Sequence, residues 1–310
     1  MYIALIIFIL IVVVSVFFLL YAYRVTFFVS KKQKNSPMEL PSGEQYDKIS
    51  GRANELINEM ESIPYEPVSI TSSDGLMLFG RYYHVTDGAP VHIQFHGYRA
   101  TGTRDFCSGN KIIREAGHNS LIVDQRSSGK SDGRSITFGI LERNDAKLWA
   151  EYVYNRFGRN TKIFLSGVSM GASTVLMASA FDMPGVVGII ADCPYSSPLD
   201  IIRKVSAEIG FPPALSMPFI RASARLLGGF QLTDIQIPEE VKKSRYPILI
   251  LHGEDDRFVP CDMSRRIHQA NPDIIQLEIF PNAGHALSCM EDTPRYERVS
   301  RTFIENCLQK

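Results

Sequence analysis

The residues with the clearest chemical potential lie in a glycine-flanked segment near the middle of the chain. This segment reads Gly167-Val168-Ser169-Met170-Gly171. Glycines on both sides are what a tight strand-to-helix turn needs, because a residue without Cβ lets the backbone bend without a clash. A β-rich run precedes the segment and good helix formers follow it. The pattern therefore predicts that Ser169 is exposed on such a turn and attacks an acyl carbon.

A base must accompany this serine, because a hydroxyl is a poor nucleophile until its proton is removed. Three histidines follow Ser169 in the chain: His252, His268 and His285. His285 lies in a loop directly after the last predicted strand, and it is the predicted base. His268 lies within a predicted helix and is expected at the surface. His252 ends a strand and is expected to be structural.

An acidic residue is also required, to orient the imidazole and to stabilise its charged form. The loop after His252 carries three carboxylates, Glu254, Asp255 and Asp256. This loop follows a buried strand, so all three side chains are expected at the same edge of the sheet. Spacing alone does not choose among them.

An alternation of strands and helices, beginning near Pro67, must position these side chains. The predicted strands are Val68–Thr71, Leu76–Tyr83, Val91–Phe95, Ser120–Val123, Thr161–Leu165, Val186–Ala191, Pro247–Leu251 and Ile275–Phe280. The predicted helices are Asp105–Ala116, Asn144–Phe157 and Ala172–Phe181. The first two strands flank a glycine turn and are expected to form a hairpin. The alternation predicts an α/β fold, with a mostly parallel central sheet flanked by helices.

One stretch, residues 195–245, interrupts the alternation with proline-punctuated apolar pieces and no convincing strand. A long insertion between core strands is usually functional or forms a small subdomain. We predict a short helical cap over 195–245, within one domain over 67–310. Its apolar side chains either contact a hydrophobic substrate or only pack the cap onto the body.

Four motifs in order resemble the α/β-hydrolase superfamily over roughly Pro67 to Leu308. Within it, the sequence is most similar to Bem46-like and serine-aminopeptidase-like membrane-anchored hydrolases. The motifs are the G-V-S-M-G turn, the H-G-x-x-D-x-x-V-P loop from His252, the Gly284-His285 pair, and Asp124-Gln125-Arg126-Ser127-Ser128-Gly129-Lys130-Ser131. The last resembles the family pattern D-x-R-G-x-G-x-S, with Ser127 in place of the usual glycine, and is expected to be structural.

The resemblance implies an α/β-hydrolase fold with Ser169, Asp256 and His285 as a catalytic triad, since Asp256 occupies the acidic position of the family loop. Two backbone N–H groups are expected to stabilise the developing oxyanion. One belongs to Met170, the residue after the nucleophile. By similarity to H-G-x loops of the family, the other belongs to Tyr98 in the segment 96–99.

The expected activity is hydrolysis of carboxylic esters or thioesters of a hydrophobic acyl substrate through an acyl-enzyme. A serine aminopeptidase or amidase is the alternative. It would need a carboxylate in the cap to hold a substrate ammonium, and Glu208 and Asp234 are available. A catalytically silent binding protein on the same fold is a further alternative.

The N-terminal segment Tyr2–Tyr23 is strongly apolar and has no charged residue. As a helix it would rise roughly 33 Å, enough to cross a hydrocarbon core of about 30 Å. A cleaved signal peptide would have positive charge before the apolar run and small residues after it. Here the basic residues follow the run: Arg24, Lys31, Lys32 and Lys34. We predict a single-pass anchor over 1–29, a linker and lead-in over 30–66, and a cytoplasmic catalytic domain.

Composition narrows the possible partners. The chain has 33 basic and 33 acidic residues, so no basic excess favours a nucleic acid. Five scattered cysteines show no metal-ligand spacing and are expected as free thiols in a reducing compartment. Neither a metal nor an organic cofactor is implied. The expected partners are a small or lipid-like acyl substrate and the membrane.

Overall fold

A central sheet of eight strands organises the part of the chain that the computed structural model describes, residues 2–35, 43–233 and 235–309. The strands are β1 (Glu66–Thr71), β2 (Met77–Tyr83), β3 (Val91–Phe95), β4 (Asn119–Asp124), β5 (Ile163–Val168), β6 (Val186–Asp192), β7 (Ile248–Gly253) and β8 (Ile275–Phe280). Their order is β1-β2-β4-β3-β5-β6-β7-β8. Strand β2 runs antiparallel to both neighbours, and the remaining pairs are parallel. The predicted α/β fold is confirmed, and each predicted strand is present within a few residues.

The described residues also form helices, several of which cover the two faces of this sheet. They are α1 (Tyr2–Thr26), α2 (Lys31–Asn35), α3 (Glu44–Asp47), α4 (Ser50–Ser62), α5 (Gly102–Glu115), α6 (Glu142–Phe157), α7 (Met170–Ala178), α8 (Pro198–Glu208), α9 (Pro213–Leu226), α10 (Ile237–Val241), α11 (Asp262–Ala270), α12 (Ser288–Glu291) and α13 (Thr293–Leu308). Strands β3, β4, β5 and β7 are buried along their whole length. Burial on both faces explains the apolar runs 121–123, 163–165 and 248–251, because parallel sheets are covered by helices on each side. Strand β3 also buries the polar His92 and Gln94.

Two apolar layers hold the helices to the sheet. On one face, Trp149 of α6 and Val175 of α7 pack with Ile93 and Leu165 of the strands. On the other face, Phe303 of α13 belongs to a separate cluster that includes Phe164 and Leu251. The alternation of inward directions along β5, where Phe164 and Leu165 face opposite layers, follows from the two-residue period of a strand.

The region 195–245 contains α8, α9 and α10 and, in its described residues, no strand. Helix α8 begins with Ser197 as its cap and Pro198 at its first position. Both choices suit a helix start, since the serine hydroxyl accepts from free backbone N–H groups and proline needs no partner there. The limits of the cap, residues 195 and 245, remain a prediction.

Helix α1 is long and apolar enough to cross a membrane, and its most hydrophobic window is not buried against the protein. Length and composition of this kind also fit a signal sequence near an N-terminus. The chain after α1 enters the domain directly, because Phe27 and Val29 are buried in the core. Phe28 forms a bridge with Ser135.

The predicted linker and lead-in, residues 30–66, holds three helices in its described part, α2 to α4. Ala53 and Met60 of α4 are buried, so this segment packs on the domain. Its Pro37 and Pro41 lie outside the described residues. The domain limits 1–29, 30–66 and 67–310 remain predictions.

Candidate active site

Ser169 stands between β5 and α7 with φ of 54° and ψ of −114°. A positive φ is uncommon for a residue other than glycine, so the surrounding structure must hold it there. Two close approaches explain the flanking glycines. A Cβ on Gly171 would lie 1.8 Å from the carbonyl oxygen of Phe95, and one on Gly167 would lie 2.3 Å from the backbone of Gly171. Larger residues at these two positions would push the turn apart.

His285 joins Ser169 to Asp256. Its Nε2 lies 2.9 Å from Ser169 Oγ, and its Nδ1 lies 2.7 Å from Asp256 Oδ2. The structure therefore brings together three side chains that are far apart in sequence. In this geometry, Nε2 faces the serine hydroxyl and Nδ1 faces the carboxylate, which is the arrangement that a serine nucleophile, a base and an orienting acid require.

The carboxylate of Asp256 is held from both sides. Its Oδ1 accepts the backbone N–H groups of Phe258 at 2.9 Å and Val259 at 2.7 Å. Burial raises its pKa, but hydrogen bonds from His252 and His285, together with their charge, outweigh burial and bring the pKa to about 2. Asp256 is therefore ionised at neutral pH, as a residue that stabilises an imidazolium must be.

His252, expected to be structural, is fully buried beside the same carboxylate. Its Nε2 lies 3.2 Å from Asp256 Oδ2 and 2.9 Å from the carbonyl oxygen of Val259, and its Nδ1 lies 2.6 Å from Ser264 Oγ. His252 thus helps to place Asp256. His268 is partly buried, with Nδ1 2.9 Å from the carbonyl oxygen of Ile275.

The loop after β3 lies against the serine turn. An ideal Cβ on Gly97 would lie 3.5 Å from Cβ of Ser169, at ordinary van der Waals distance, so the loop lies directly beside the serine. The backbone N–H of Gly97 donates to Asp105 Oδ2 at 2.7 Å, so α5 fixes the loop. Met170 begins α7, and Tyr98 lines the cavity beside Ser169. Both expected oxyanion donors thus belong to segments that adjoin the serine.

The same loop is attached to the end of α1, which the sequence did not indicate. The hydroxyl of Tyr98 donates to the carbonyl oxygen of Thr26 at 2.9 Å, and Arg99 donates to the carbonyl oxygens of Val25 and Phe28, each at 3.1 Å. Burial raises the pKa of Tyr98 to about 12. Helix α1 and the loop beside Ser169 therefore form one hydrogen-bonded unit.

The lead-in segment contacts the histidine loop. The hydroxyl of Tyr46 donates to the backbone carbonyl of His285 at 3.0 Å, and a Cβ on Gly284 would meet the side chain of Gln45 at 2.3 Å. Sequence reasoning missed Tyr46, because it lies in a polar stretch without periodicity and far from every motif. The contact between α3 and this loop exists only in the folded chain.

A cavity of about 530 Å³ opens beside Ser169 and His285 and continues between the sheet and α5. Most of its wall is apolar, including Phe106, Ile112 and Ile304. Buried polar atoms without a hydrogen-bond partner among the described residues also line it: Gln94 Oε1 and Nε2, Ser166 Oγ, Asp192 Oδ1 and Ser300 Oγ. An apolar cavity with a few convergent polar groups is typical of a small-molecule site.

Asp192, at the end of β6, is the ionisable member of this wall. Its Oδ2 accepts from the hydroxyl of Tyr296 at 3.1 Å, and its backbone carbonyl accepts the N–H of Ser169 at 2.8 Å. Burial raises the pKa of this carboxyl to about 6, despite the nearby His252. Asp192 and Asp256 are thus neighbours with pKa values displaced in opposite directions.

The stretch Asp124–Ser131 is structural, in line with expectation. Arg126 is 4% exposed and makes two hydrogen bonds to Asp145, of 2.7 Å and 2.8 Å, and two more to Asp74. These bonds connect the β1–β2 hairpin to α6. A Cβ on Gly129 would lie 2.2 Å from Asp124, so the turn requires a residue without one.

The remaining residues that could bind a substrate ammonium or a metal ion lie elsewhere or are already paired. Glu208 is 52% exposed and lies 2.5 Å from Lys204, and Asp234 lies outside the described residues. Donor atoms of Cys193, Asp256 and His285 fall within 4.8 Å of one another, but the last two are hydrogen-bonded together. The five cysteines, all within the described part of the chain, form no disulfide and are buried.

Comparison with known proteins agrees with this architecture. The dienelactone hydrolase family matches residues 140–302, which is just over half of the 310 residues. The chain belongs to this family and to the α/β-hydrolase superfamily.

The individual relatives have low sequence identity to this chain. The uncharacterized protein YqkD of Bacillus subtilis is 27% identical over 197 residues, which are 63% of this chain and 65% of YqkD. Protein ABHD12B of Homo sapiens is 29% identical over 223 residues, 67% of this chain and 59% of that protein. The chain thus spans less than two thirds of either relative. Among solved structures, the Pyrococcus furiosus esterase Pf2001 has a TM-score of 0.63 at 20% identity, covering 87% of this chain and 97% of its own, a likeness of fold.

Proposed function

We propose that the chain is a serine hydrolase that cleaves carboxylic esters or thioesters of hydrophobic acyl groups. The observation that carries the proposal is the continuous series from Ser169 Oγ to His285 Nε2, at 2.9 Å, and from His285 Nδ1 to Asp256 Oδ2, at 2.7 Å. Positive φ at Ser169 supports it, because strained backbone is concentrated at functional sites.

The proposed reaction has two halves. His285 takes the proton of Ser169 as its oxygen attacks the acyl carbon, and Asp256 stabilises the imidazolium. Backbone N–H groups of Met170 and Tyr98 stabilise the oxyanion. His285 then protonates the departing alcohol or thiol, leaving an acyl-enzyme on Ser169. Water, deprotonated by the same histidine, releases the acid and restores the serine.

A hydrophobic acyl substrate suits the cavity, whose wall is largely apolar near α5. Attachment to a membrane through α1 would hold the enzyme where lipid-like esters are concentrated. The basic residues Arg24 and Lys31 lie at and beyond the C-terminal end of α1, and the positive-inside tendency supports a cytoplasmic location for the proposed catalytic domain. An aminopeptidase receives no comparable support, because Glu208 is already paired with Lys204.

The test uses the full-length chain in detergent micelles, with p-nitrophenyl esters from acetate to palmitate and a fluorophosphonate probe. Wild type should hydrolyse the esters with a burst and bind the probe covalently. Ser169→Ala should lose both, with turnover down about a thousandfold or more. The matched control is Ser179→Ala, since Ser179 directly follows α7 and its hydroxyl donates to the carbonyl of Leu176 at 2.7 Å.

Equal turnover by wild type and Ser169→Ala, with no probe on Ser169, would refute the proposal and favour a silent binding protein. Turnover of aminoacyl amides in preference to every ester would favour the aminopeptidase.

A further inference from the structure

Helix α1 packs along the cap. The rings of Phe18 and Phe219 have centroids 5.7 Å apart, and those of Tyr21 and Phe211 are 6.1 Å apart. Phe18 precedes the first charged residue, Arg24, by six positions, so it lies roughly 9 Å inside the apolar run at 1.5 Å per residue. Any bilayer that contains this part of α1 therefore reaches the level of α9.

The connection between α1 and the domain is rigid. Phe27 is fully buried, edge-on to Phe138 and Phe230 at 6.0 Å and 5.2 Å. The hydroxyls of Tyr23 and Ser135 are 2.7 Å apart. Together with the bonds from Tyr98 and Arg99, these contacts fix the direction of α1 relative to the catalytic domain. The orientation of α1 in a membrane therefore determines which face of the domain contacts the lipid.

The segment 209–219, here named the cap tip, joins α8 to the first half of α9. It reads Ile-Gly-Phe-Pro-Pro-Ala-Leu-Ser-Met-Pro-Phe and has no charged residue. Ile209 is 63% exposed, Leu215 is 70% exposed and Phe211 is 39% exposed. Contiguous exposed apolar surface of this kind marks a contact with protein or membrane. The cap tip also contacts α1, the helix that is long and apolar enough to cross a membrane, and this contact favours the membrane over a protein partner.

We propose that the cap tip lies in the lipid monolayer that α1 enters, on the side of its C-terminal end. A peripheral helix inserts its apolar face roughly 5–10 Å into the headgroup and acyl boundary. Phe219, which contacts Phe18, lies at a similar depth along α1. The exposed Arg221 and Arg225 follow on α9, and cationic side chains there favour anionic headgroups. The cap tip and α1 form one membrane-bound surface.

This proposal rests on the anchoring role of α1 and not on the chemistry at Ser169. Full-length Leu215→Trp would be reconstituted into vesicles of phosphatidylcholine and phosphatidylglycerol, with bromine on the phosphatidylcholine acyl chains. The added fluorescence, corrected for native Trp149, should fall by about half in brominated vesicles and resist iodide. Trp149 is buried and provides the same background in every variant.

Phe157→Trp is the matched control. Phe157 is 38% exposed at the end of α6, and the strand that follows it begins at Ile163, so it lies at the sheet edge opposite Ser169. Its fluorescence should respond to iodide and not to bromine. A Leu215→Trp signal quenched by iodide alone, or by neither agent because a second protein copy covers it, would overturn the proposal. Failure of the parent chain to float with vesicles would overturn the anchor as well, independently of any esterase result.

Discussion

The hydroxyl of Tyr46 donates a hydrogen bond of 3.0 Å to the backbone carbonyl of His285. This bond connects the lead-in helix α3 to the loop that carries the proposed base. Ala286, the next residue, has a φ of 59°, so the loop is strained and depends on external contacts. The lead-in segment therefore contributes to the conformation of the candidate active site.

Tyr46→Phe should lower kcat for a short-chain ester about threefold to tenfold, because one hydrogen bond of about 1 kcal/mol no longer restrains His285. Steady-state kinetics on the full-length protein would measure the change. Tyr82→Phe is the control, since the Tyr82 hydroxyl is 3.4 Å from His84 and belongs to β2. Equal kcat in wild type and Tyr46→Phe would show that the loop holds its own conformation.

Arg126→Met should reduce the free energy of unfolding by about 3–5 kcal/mol, because it leaves the buried Asp145 without its cation. The double variant Arg126→Met/Asp145→Leu should recover most of this loss. Denaturant titration would measure both. Arg245→Met is the control, with an expected cost below about 1 kcal/mol, since its 3.8 Å pair with Asp182 is exposed. A double variant as unstable as the single one would contradict the explanation.

Two helical glycines should respond oppositely to alanine. Gly171→Ala should destabilise the fold and abolish ester turnover, because its Cβ would lie 1.8 Å from the Phe95 carbonyl. Gly51→Ala should raise the free energy of unfolding by about 0.5–1 kcal/mol. Apart from the backbone of its own helix, no atom of the described residues lies within 4 Å of an added Cβ, and alanine favours helices more than glycine does. Thermal unfolding and turnover of both variants would be compared. Destabilisation by Gly51→Ala would show that α4 packs more closely than described.

The raised pKa of Asp192 predicts a pH dependence of stability. Its folded pKa of about 6 exceeds the unfolded value, so the folded state holds the proton more tightly. The resulting stabilisation is fully present below the unfolded pKa of about 3.9 and is lost as pH rises through about 6. Asp256, with a pKa of about 2, acts oppositely, and its contribution is lost only as pH falls from about 4 to 2.

Asp192→Asn keeps an uncharged side chain at every pH. Relative to wild type, its free energy of unfolding should therefore increase between pH 4 and 7, by up to about 3 kcal/mol from a two-unit shift. Urea titrations across this range measure the difference, which separates Asp192 from other titrating groups. A constant difference would mean that Asp192 is ionised throughout.

The sequence alone was sufficient for the fold class and for the positions of the strands. Strand β7 is apolar from Ile248 to Leu251 and is buried on both faces, and the Gly167–Gly171 turn has a strict spacing, so local pattern and tertiary structure agree there. Ser169 and His285 were chosen from the same local signals, whereas Asp256 needed a resemblance, since Glu254 and Asp255 have the same chemistry. The fold distinguishes them directly, because it turns Asp256 toward His285 at 2.7 Å.

Contacts between distant segments were decided by tertiary structure alone. Three such contacts join residues that no periodicity relates: Tyr46 with His285, Tyr98 with Thr26, and Phe18 with Phe219. A local pattern reports which face of an element is buried, but not what covers it. The sequence thus determined that an apolar helix and a serine on a glycine-flanked turn exist in one chain. The packing of α1 on the cap and on the loop beside Ser169 was determined by side-chain fit across the folded molecule.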